Sequence, residues 1–353
     1  MTGTGQRVSN IGDISEVNYT LGRTTQTNRR HSMKKRLIAF VSLCAAFMSQ
    51  LAHAQTWPQR PVKVTVPFAA GGNTDIQARI ASERLSAVFG QQFLVENRVG
   101  AGGAIAAEFV AKSPADGYTL LFPPVSLISI LPLVQKVNYD PLKDFAPISI
   151  LGTNPFILGV HVSLPVKNLK EFIDYVKARP GQLNYASAGA GTVSHLTPAL
   201  FLARAGLKMT HVPYKGGAPA AVDLVGGQVQ MLFGVPLDLV PHAKSGKITL
   251  LAVSSEKRMS QFPDLPAIAE FYPGFRTVVW NGLLAPAGTP KEIVDRLAQE
   301  IIKATREPGV IERLKKIGVD PLGNTPAEFA ALIKSDVPLW REAVDAAGLK
   351  QEQ

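Results

Sequence analysis

The sequence predicts an α/β fold whose sheets are rich in parallel strands. Short runs of β-branched and apolar residues are repeatedly followed by a glycine-containing loop and then by apolar residues at helical spacing. This order is typical of βα units, in which consecutive strands pair in parallel. With 353 residues, of which 46% are hydrophobic and 18% charged, the chain is long enough for two domains with separate cores.

The N-terminal segment is not expected to belong to this fold. Met33 precedes basic residues and a short apolar run that ends at Ala52-His53-Ala54. These are the three parts of a secretory signal peptide, residues 33–54, and the run is shorter than the roughly 20 apolar residues of a membrane-spanning helix. We therefore predict cleavage after Ala54. Residues 1–32 are polar and aperiodic, and we interpret them as a disordered, over-extended translation start.

Charge and cysteine content exclude several classes of protein. Loss of the first 54 residues removes seven basic and two acidic groups, so the formal net charge falls from +10 to +5. The remaining charges of both signs are interspersed, without a nucleic-acid-binding motif, which indicates an ordinary soluble surface. The only cysteine, Cys44, lies in the predicted signal peptide, so the mature chain has no disulfide and no cysteine nucleophile.

The first βα unit surrounds a glycine loop. Valines alternate with polar residues over residues 62–66, which indicates a strand, and a helix follows the loop. Gly71 and Gly72 let the backbone approach a ligand closely. Thr74 or Asp75 is expected to cap the helix, and Asp75 has a second interpretation as a partner for a cationic ligand group.

The next two strands are predicted at residues 92–96 and 118–122. The first leads to Gly100-Ala-Gly-Gly-Ala-Ile105, which resembles two glycines of a dinucleotide fingerprint but has Ile105 where the third belongs. Tight helix packing is therefore favoured over a nucleotide site. The second leads to Ser126, which is interpreted equally as a helix cap or as a ligand contact at the carboxyl end of a strand.

The middle of the chain contains the clearest candidate for an anion site. After strands at residues 147–151 and 156–161, joined by a loop at 152–155, two βα units occupy residues 184–234. The loop Ser187-Ala-Gly-Ala-Gly-Thr192 opens a helix, so backbone N–H groups and the positive end of the helix dipole point at whatever lies in front of it. His195, one turn later, either faces the ligand or packs between helix and sheet.

The remaining elements continue the alternation. Lys215-Gly216-Gly217 repeats the loop-to-helix arrangement, and a short helix precedes a strand at residues 248–253. The chain is expected to cross back over residues 271–279 into a strand at 280–285, and the rest is helical.

The chain lacks the usual catalytic constellations. The four histidines after residue 54 have no metal-ligand spacing, and neither a nucleophile elbow nor a Walker loop is present. We therefore predict no metal, no cofactor and no catalysis, and favour recognition of a small anion.

Several separated motifs carry a resemblance to one family. They are Pro67-Phe-Ala-Ala-Gly-Gly-x-x-Asp75, Asn97-Arg-x-Gly-Ala-Gly-Gly103 with Asp116-Gly-Tyr-Thr-Leu120, His211-Val-Pro-Tyr-Lys-Gly216 with Asp223-Leu-x-Gly-Gly227, and Leu284-Ala-Pro-Ala-Gly-Thr-Pro290. The chain resembles the extracytoplasmic solute receptors of tripartite tricarboxylate transporters, known as Bug proteins, over nearly all of its mature length.

The resemblance implies a fold and a site. It implies a type II periplasmic-binding-protein fold, with residues 55–155 and 276–353 in lobe 1, residues 156–275 in lobe 2, and a ligand cleft between them. One carboxylate would lie between two loops, while distal ligand groups would meet Ser126, Asp238 and Trp280. The full predicted ligand-binding set is Phe68, Ala69, Gly71, Gly72, Asn73, Thr74, Asp75, Ser126, Ser187, Ala188, Gly189, Gly191, Thr192, His195, Asp238 and Trp280.

The resemblance also implies a periplasmic monomer that delivers its ligand to membrane permease subunits. Two alternatives stay open from the residues: a ligand sensor for a membrane histidine kinase, and a secreted enzyme acting on a carboxylate. No acid/base constellation supports the enzyme.

Overall fold

The computed structural model describes residues 57–259 and 261–349. The predicted signal peptide, its cleavage site and residues 1–32 lie outside these residues. The chain divides into two units, Met1–Gln59 and Arg60–Gln353, and both sheets belong to the second. No helix in the described part of the chain is long and apolar enough to cross a membrane.

Strands and helices alternate as the sequence predicts. In chain order the elements are β1 (Val62–Val66), α1 (Asn73–Phe89), β2 (Phe93–Asn97), α2 (Ala104–Ala111), β3 (Thr119–Leu121), α3 (Leu131–Val134), β4 (Phe145–Pro155), β5 (Ile157–His161), α4 (Leu169–Lys177), β6 (Asn184–Ser187), α5 (Val193–Ala205), β7 (Thr210–Pro213), α6 (Gly217–Val225), β8 (Met231–Gly234), α7 (Pro236–Lys244), β9 (Ile248–Val253), β10 (Val278–Pro286), α8 (Lys291–Ala304), α9 (Pro308–Lys316), β11 (Asp320–Pro321) and α10 (Pro326–Ala346).

The strands form two sheets. One has the order β11-β4-β10-β3-β1-β2 and the other the order β7-β6-β8-β5-β9. In the first, β1 pairs in parallel with β2 and β3, and β10 runs antiparallel to β3 and β4. In the second, β6 is parallel to β7 and β8, while β5 is antiparallel to β8 and β9. The carboxyl ends of the parallel strands therefore share one edge in each sheet.

The two loop-bearing edges adjoin where the chain passes between the sheets. Phe156 alone separates the carboxyl end of β4 from the amino end of β5. The return passage starts at the carboxyl end of β9, and the two passages are hydrogen-bonded together. Phe156 N–H donates to Ser254 Oγ (2.9 Å), and Ser254 Oγ donates to the carbonyl oxygen of Thr277 (2.6 Å).

One predicted loop is part of a strand. Residues 152–155 were expected to connect two strands, yet β4 continues through them to Pro155 and pairs with both β10 and β11. The reason lies at Gly152, where a Cβ would clash with Val319 and with the carbonyl oxygen of Asp320. The glycine permits close approach of a neighbouring strand rather than a turn.

A continuous apolar core includes side chains from both sheets. It contains Leu121 of β3 and Phe233 of β8, together with Phe201 of α5 and Trp340 of α10, all at most 1% exposed. Burial of each such side chain contributes roughly 1.5–3 kcal/mol. This packing holds α5 and α10 beside each other, and their ends are joined by a bidentate ion pair between Arg204 and Glu342.

Candidate functional site

The loop between β1 and α1 presents an exposed backbone at the edge of the six-stranded sheet. Residues 69–73 are exposed, and Gly71 has φ of 84°, which favours glycine. The cap of α1 is Gly72, in extended conformation, rather than the predicted Thr74 or Asp75. That prediction was wrong because the helix begins two residues earlier than expected.

Asp75 stabilises this loop from beneath. Its carboxylate accepts hydrogen bonds from Gly71 N–H (2.9 Å), from Arg79 (2.9 and 3.1 Å) and from Asn97 Nδ2 (2.9 Å). Burial raises the pKa of Asp75, but the hydrogen bonds from Arg79, Gly71 and Asn97 outweigh burial and hold the pKa below its usual value. Asp75 is thus an ionised brace that is only 1% exposed.

Asn97 completes the brace, and sequence reasoning gave it no role. Its Nδ2 also donates to the carbonyl oxygen of Phe68 (2.8 Å), so one side chain holds both ends of the loop. The available signal was the motif that begins at Asn97, which places an amide at the end of the strand next to β1. Arg79 is likewise bound to Asp75, so its charge is largely neutralised at the loop.

Polar side chains at the start of α1 also reach neighbouring elements. The hydroxyl of Thr74 donates to Asn281 Oδ1 of β10 (2.8 Å). Asn73 Nδ2 donates to the carbonyl oxygen of Ile317 (3.4 Å), and Gln77 donates to Asn73 Oδ1 (2.6 Å). The first turn of the helix is therefore fixed to the sheet and to the segment after α9.

The loop between β6 and α5 is held by its own polar groups. Gly189 and Gly191 have φ of 141° and 75°, which residues with a Cβ rarely adopt. The hydroxyl of Thr192 donates to the carbonyl oxygen of Gly189 (2.7 Å), and Ala188 N–H donates to Ser194 Oγ (2.8 Å). Thr192 is the N-cap of α5, although its side chain makes no cap hydrogen bond to the helix backbone.

Two stacked histidines lie beneath this loop. The rings of His195 and His211 are parallel within 7°, with centroids 3.7 Å apart. His195 Nδ1 accepts a hydrogen bond from Gly191 N–H (3.1 Å), so this nitrogen carries no proton. Burial, with a smaller contribution from the charge of His211, lowers the pKa of His195 to about 4, and burial also lowers the pKa of His211.

Ser187 and His211 are close enough to resemble a nucleophile and its base. Ser187 Oγ lies 2.7 Å from His211 Nε2. However, Ser187 is fully buried, and its hydroxyl also accepts from Gly189 N–H (3.2 Å). The pair therefore shapes the loop and presents no nucleophile. His211 was missed by sequence reasoning because it lies on a different strand from Ser187.

The second glycine loop already faces a carboxylate of the chain itself. The carboxylate of Asp238, in the first turn of α7, occupies the space that a Cβ on Gly217 would need. Burial raises the pKa of Asp238, while the charge of His242 opposes that effect. The chain therefore places a carboxylate of its own in front of the N-terminus of α6.

The other two predicted contacts lie in different surroundings. Ser126 begins a π-helical turn, Ser126–Ile130, after β3 and is half-buried. Trp280 is fully buried, donates Nε1–H to Asp336 Oδ2 (2.8 Å) and packs edge-to-face on Phe329. Trp280 exposes no atom to a ligand in this structure.

Two glycine loops, each fixed by buried polar side chains, lie at adjoining sheet edges and each precedes the N-terminus of a helix. Residues 77–349 match the family model described as tripartite tricarboxylate transporter family receptor, and the chain belongs to this family. The family resemblance and the predicted fold class are confirmed. In the described part of the chain, no group of three or more His, Asp or Glu residues could hold a metal ion.

Curated relatives and solved structures agree with this assignment. The chain is 37% identical over 314 residues to the UPF0065 protein in tcbD-tcbE intergenic region of Pseudomonas sp. (88% of this chain, 94% of the relative). It is 36% identical over 320 residues to Protein BugT of Bordetella pertussis (89% and 98%).

Three similar structures are of the same family type. R. palustris Rpa4515 with adipate is 36% identical at a TM-score of 0.67, covering 84% of this chain and all of that one. MatC of Rhodopseudomonas palustris with bound malate is 35% identical at a TM-score of 0.63, covering 82% of this chain and 100% of that one. The periplasmic binding protein BugD is 36% identical at a TM-score of 0.63, covering 84% of this chain and 100% of that one.

Proposed function

We propose that this chain is a periplasmic receptor that captures a small carboxylate and delivers it to the permease subunits of a tripartite tricarboxylate-type transporter. The observation that carries the proposal is the full-length similarity to a relative solved with adipate. The relative with malate supports the same ligand class. Catalysis has no part in this proposal, because the only serine–histidine pair at the site is used to shape a loop.

We propose that the two sheets are the cores of two lobes, residues 55–155 with 276–353 and residues 156–275. One carboxylate of the solute would lie between residues 68–74 and residues 187–192. Backbone N–H groups at the N-termini of α1 and α5 supply hydrogen bonds and partial positive charge, and water can bridge the remainder. The guanidinium of Arg79 is paired with Asp75, so recognition of the carboxylate would depend on the dipoles of α1 and α5 rather than on an arginine.

The distal end of the solute is proposed to meet Ser126 and Asp238. The Ser126 hydroxyl would donate to the second carboxylate of a solute such as adipate or malate, whereas Asp238, a half-buried carboxylate at the loop-bearing edge, would accept from a hydroxyl such as that of malate. A contact with Trp280 would require that side chain to leave the core.

Thermal unfolding of the refolded, ligand-free protein tests the proposal. Adipate and malate are the probes, and adipamide, which lacks the charges of adipate, is the control. A carboxylate at 100 times its Kd stabilises the protein by about 2.7 kcal/mol and raises Tm, because only the folded chain binds it. Equal shifts with adipamide, no shift with either carboxylate, or chemical turnover of a probe would contradict the proposal.

A further inference from the structure

Asn281 connects β10 to the carboxylate loop, and it is the neighbour of the predicted contact Trp280. Successive side chains of a strand point to opposite faces of a sheet. Trp280 packs on Phe329 of α10, whereas Asn281 meets the hydroxyl of Thr74 in the first turn of α1. Asn281 also pairs with Pro124, which follows β3 at the same edge.

The amide of Asn281 is only half satisfied. The residue is 1% exposed, and its Oδ1 accepts from Thr74 Oγ1 (2.8 Å). Its Nδ2 has no hydrogen-bond partner among the described residues. A buried donor without a partner costs about 1–3 kcal/mol, and the opposite orientation of the amide would leave Oδ1 unpartnered in the same place, so the two orientations are close in free energy.

A half-turn of the amide about its Cβ–Cγ bond provides that arrangement. It exchanges Oδ1 and Nδ2, so that Nδ2–H donates to Thr74 Oγ1. The single hydroxyl proton of Thr74 is then released from Asn281 and can point elsewhere. Thr74 is half-buried at the start of α1, beside the exposed residues 69–73, so the freed proton faces the proposed carboxylate position.

The backbone that carries Asn281 is fixed by its neighbours. Gly282 N–H donates to the carbonyl oxygen of Pro123 (3.3 Å), and a Cβ on Gly282 would lie 2.9 Å from the ring of Phe329 and from the carbonyl oxygen of Ser149. The pairing with β4 shifts register between Asn281 and Gly282. Such irregularities re-aim side chains beside functional sites.

We propose that Asn281 is a positioning residue of the carboxylate site: by donating Nδ2–H to Thr74 Oγ1, it directs the Thr74 hydroxyl proton to an oxygen of the bound carboxylate. This inference rests on the proposed function. We call the two hydrogen bonds in series, from Asn281 Nδ2–H to Thr74 Oγ1 and from the Thr74 hydroxyl to the solute, the relay. The hydroxyl of Thr74 then donates to the solute only while Asn281 donates an N–H to it.

A double-mutant cycle measured by isothermal titration calorimetry tests the relay, with adipate and malate as probes. Asn281→Asp keeps the shape of the side chain, and its ionised carboxylate can only accept from Thr74, so at pH 8, where ionisation is favoured, carboxylate affinity falls by about 10-fold to 100-fold. Thr74→Val causes a similar loss, and Thr74→Ser, which retains a hydroxyl, restores most of the affinity. The variant with both Thr74→Val and Asn281→Asp loses no more than the larger single loss, because the relay is already broken.

Asn154 provides the matched control. It is a buried amide on β4 whose Nδ2 donates to the carbonyl oxygen of Gly318 (2.7 Å) and which has no described hydrogen bond to Thr74. Asn154→Asp lowers Tm but leaves the affinity unchanged. In the unmodified protein, the side-chain amide NMR signal of Asn281 shifts on addition of adipate, whereas that of Asn154 does not, which tests the relay even if Asn281→Asp fails to fold.

The outcomes separate the inference from the proposed function. The relay alone is overturned if the affinity losses of the two single variants multiply in the double variant. It is also overturned if adipate leaves the side-chain amide NMR signal of Asn281 unchanged. A wild-type chain that binds neither adipate nor malate overturns the carboxylate receptor and the relay together.

Discussion

His195 links the conformation of the β6–α5 loop to a single protonation site. Its Nδ1 must be free of a proton to accept from Gly191 N–H, and a charge on its ring would lie 3.7 Å from the ring of His211. Burial lowers the pKa of His195 from 6.5 to about 4. The loop is therefore built for a neutral histidine.

Stability is expected to depend on this group between pH 6.5 and 4. In that range the unfolded chain binds a proton that the folded chain excludes, so the free energy of unfolding falls as the pH falls. The stabilisation is complete above pH 6.5, and the loss on reaching pH 4 is on the order of 3 kcal/mol. Urea denaturation at pH 7.5 and pH 5 should show a smaller pH effect in His195→Gln than in wild type.

His161 provides the control for this experiment. It lies at the end of β5, where Nδ1 is 2.8 Å from Ser163 Oγ, apart from the loop. His161→Gln is expected to retain the pH dependence of the wild type. An equally steep dependence in His195→Gln would contradict the assignment.

Residue roles at the site could be predicted only in part. Glycine loops before helices are local signals, so the sequence predicts both glycine loops. Which side chains support them depends on strand pairing: Asn97 reaches Asp75 because β2 lies beside β1, and His211 reaches Ser187 because β7 lies beside β6. Trp280 and Asn281 are neighbours on β10 whose side chains meet different elements, and the sequence does not determine which of the two lies on the face that meets α1.

At the scale of elements, a buried carboxylate fastens α10 to the strand that returns to the six-stranded sheet. Asp336 is 2% exposed and accepts from Arg276 Nη2 (2.7 Å) and Trp280 Nε1 (2.8 Å). Burial raises the pKa of Asp336, and the charge of Arg276 and the two hydrogen bonds oppose that effect. Arg276 Nη2 also donates to Ser335 Oγ (3.2 Å), but Asp336 is the carboxylate that pairs with its charge.

Asp336→Ala should destabilise the protein by about 3–5 kcal/mol, because it leaves the largely buried charge of Arg276 without its counter-ion and the indole N–H of Trp280 without its acceptor. Urea denaturation measures the loss. Glu312→Ala removes an exposed pair with Lys316 and serves as the control, with no measurable change expected. Equal stability of the two variants would show that the contact does not hold α10.

The sequence predicts element positions well where apolar residues recur periodically, and poorly where the prediction depends on glycine or proline as an interruption. The predicted strand at residues 248–253 coincides with β9. Glycine and proline usually interrupt strands, so the sequence predicts that a loop begins at Gly152. In the folded chain Gly152 makes room for β11, a contact that arrives from a segment more than 150 residues later and leaves no local mark.

For the whole molecule, the alternation of strands and helices was sufficient to predict the α/β class, and the family match confirms it. The assignment of strands to two sheets was harder, because crossings lie in short segments without a composition change. Phe156 is one residue between two strands. The lobe boundaries remain a prediction.

Export processing is also a property of the whole chain. We expect signal peptidase to cleave after Ala54, because Ala52-His53-Ala54 ends the apolar run. Mass spectrometry of the exported protein should find Gln55 at the N-terminus, and Ala54→Arg should block cleavage, while Ala46→Leu, within the apolar run, should not. Retention of Met1 or Met33 in the exported protein would contradict the signal-peptide interpretation.

The passages between the sheets make any change of their relative angle a concerted event. A turn of one sheet against the other has to be absorbed by the two backbone dihedral angles at Phe156 and by residues 254–277. Because Ser254 bonds both to Phe156 and to Thr277, neither passage can twist without the other. Backbone hydrogen bonds from Ser254 N–H to the carbonyl oxygen of Phe156 (2.9 Å) and from Thr277 N–H to that of Ser254 (3.0 Å) join the same passages, so we expect any change of the angle between the sheets to move both passages together.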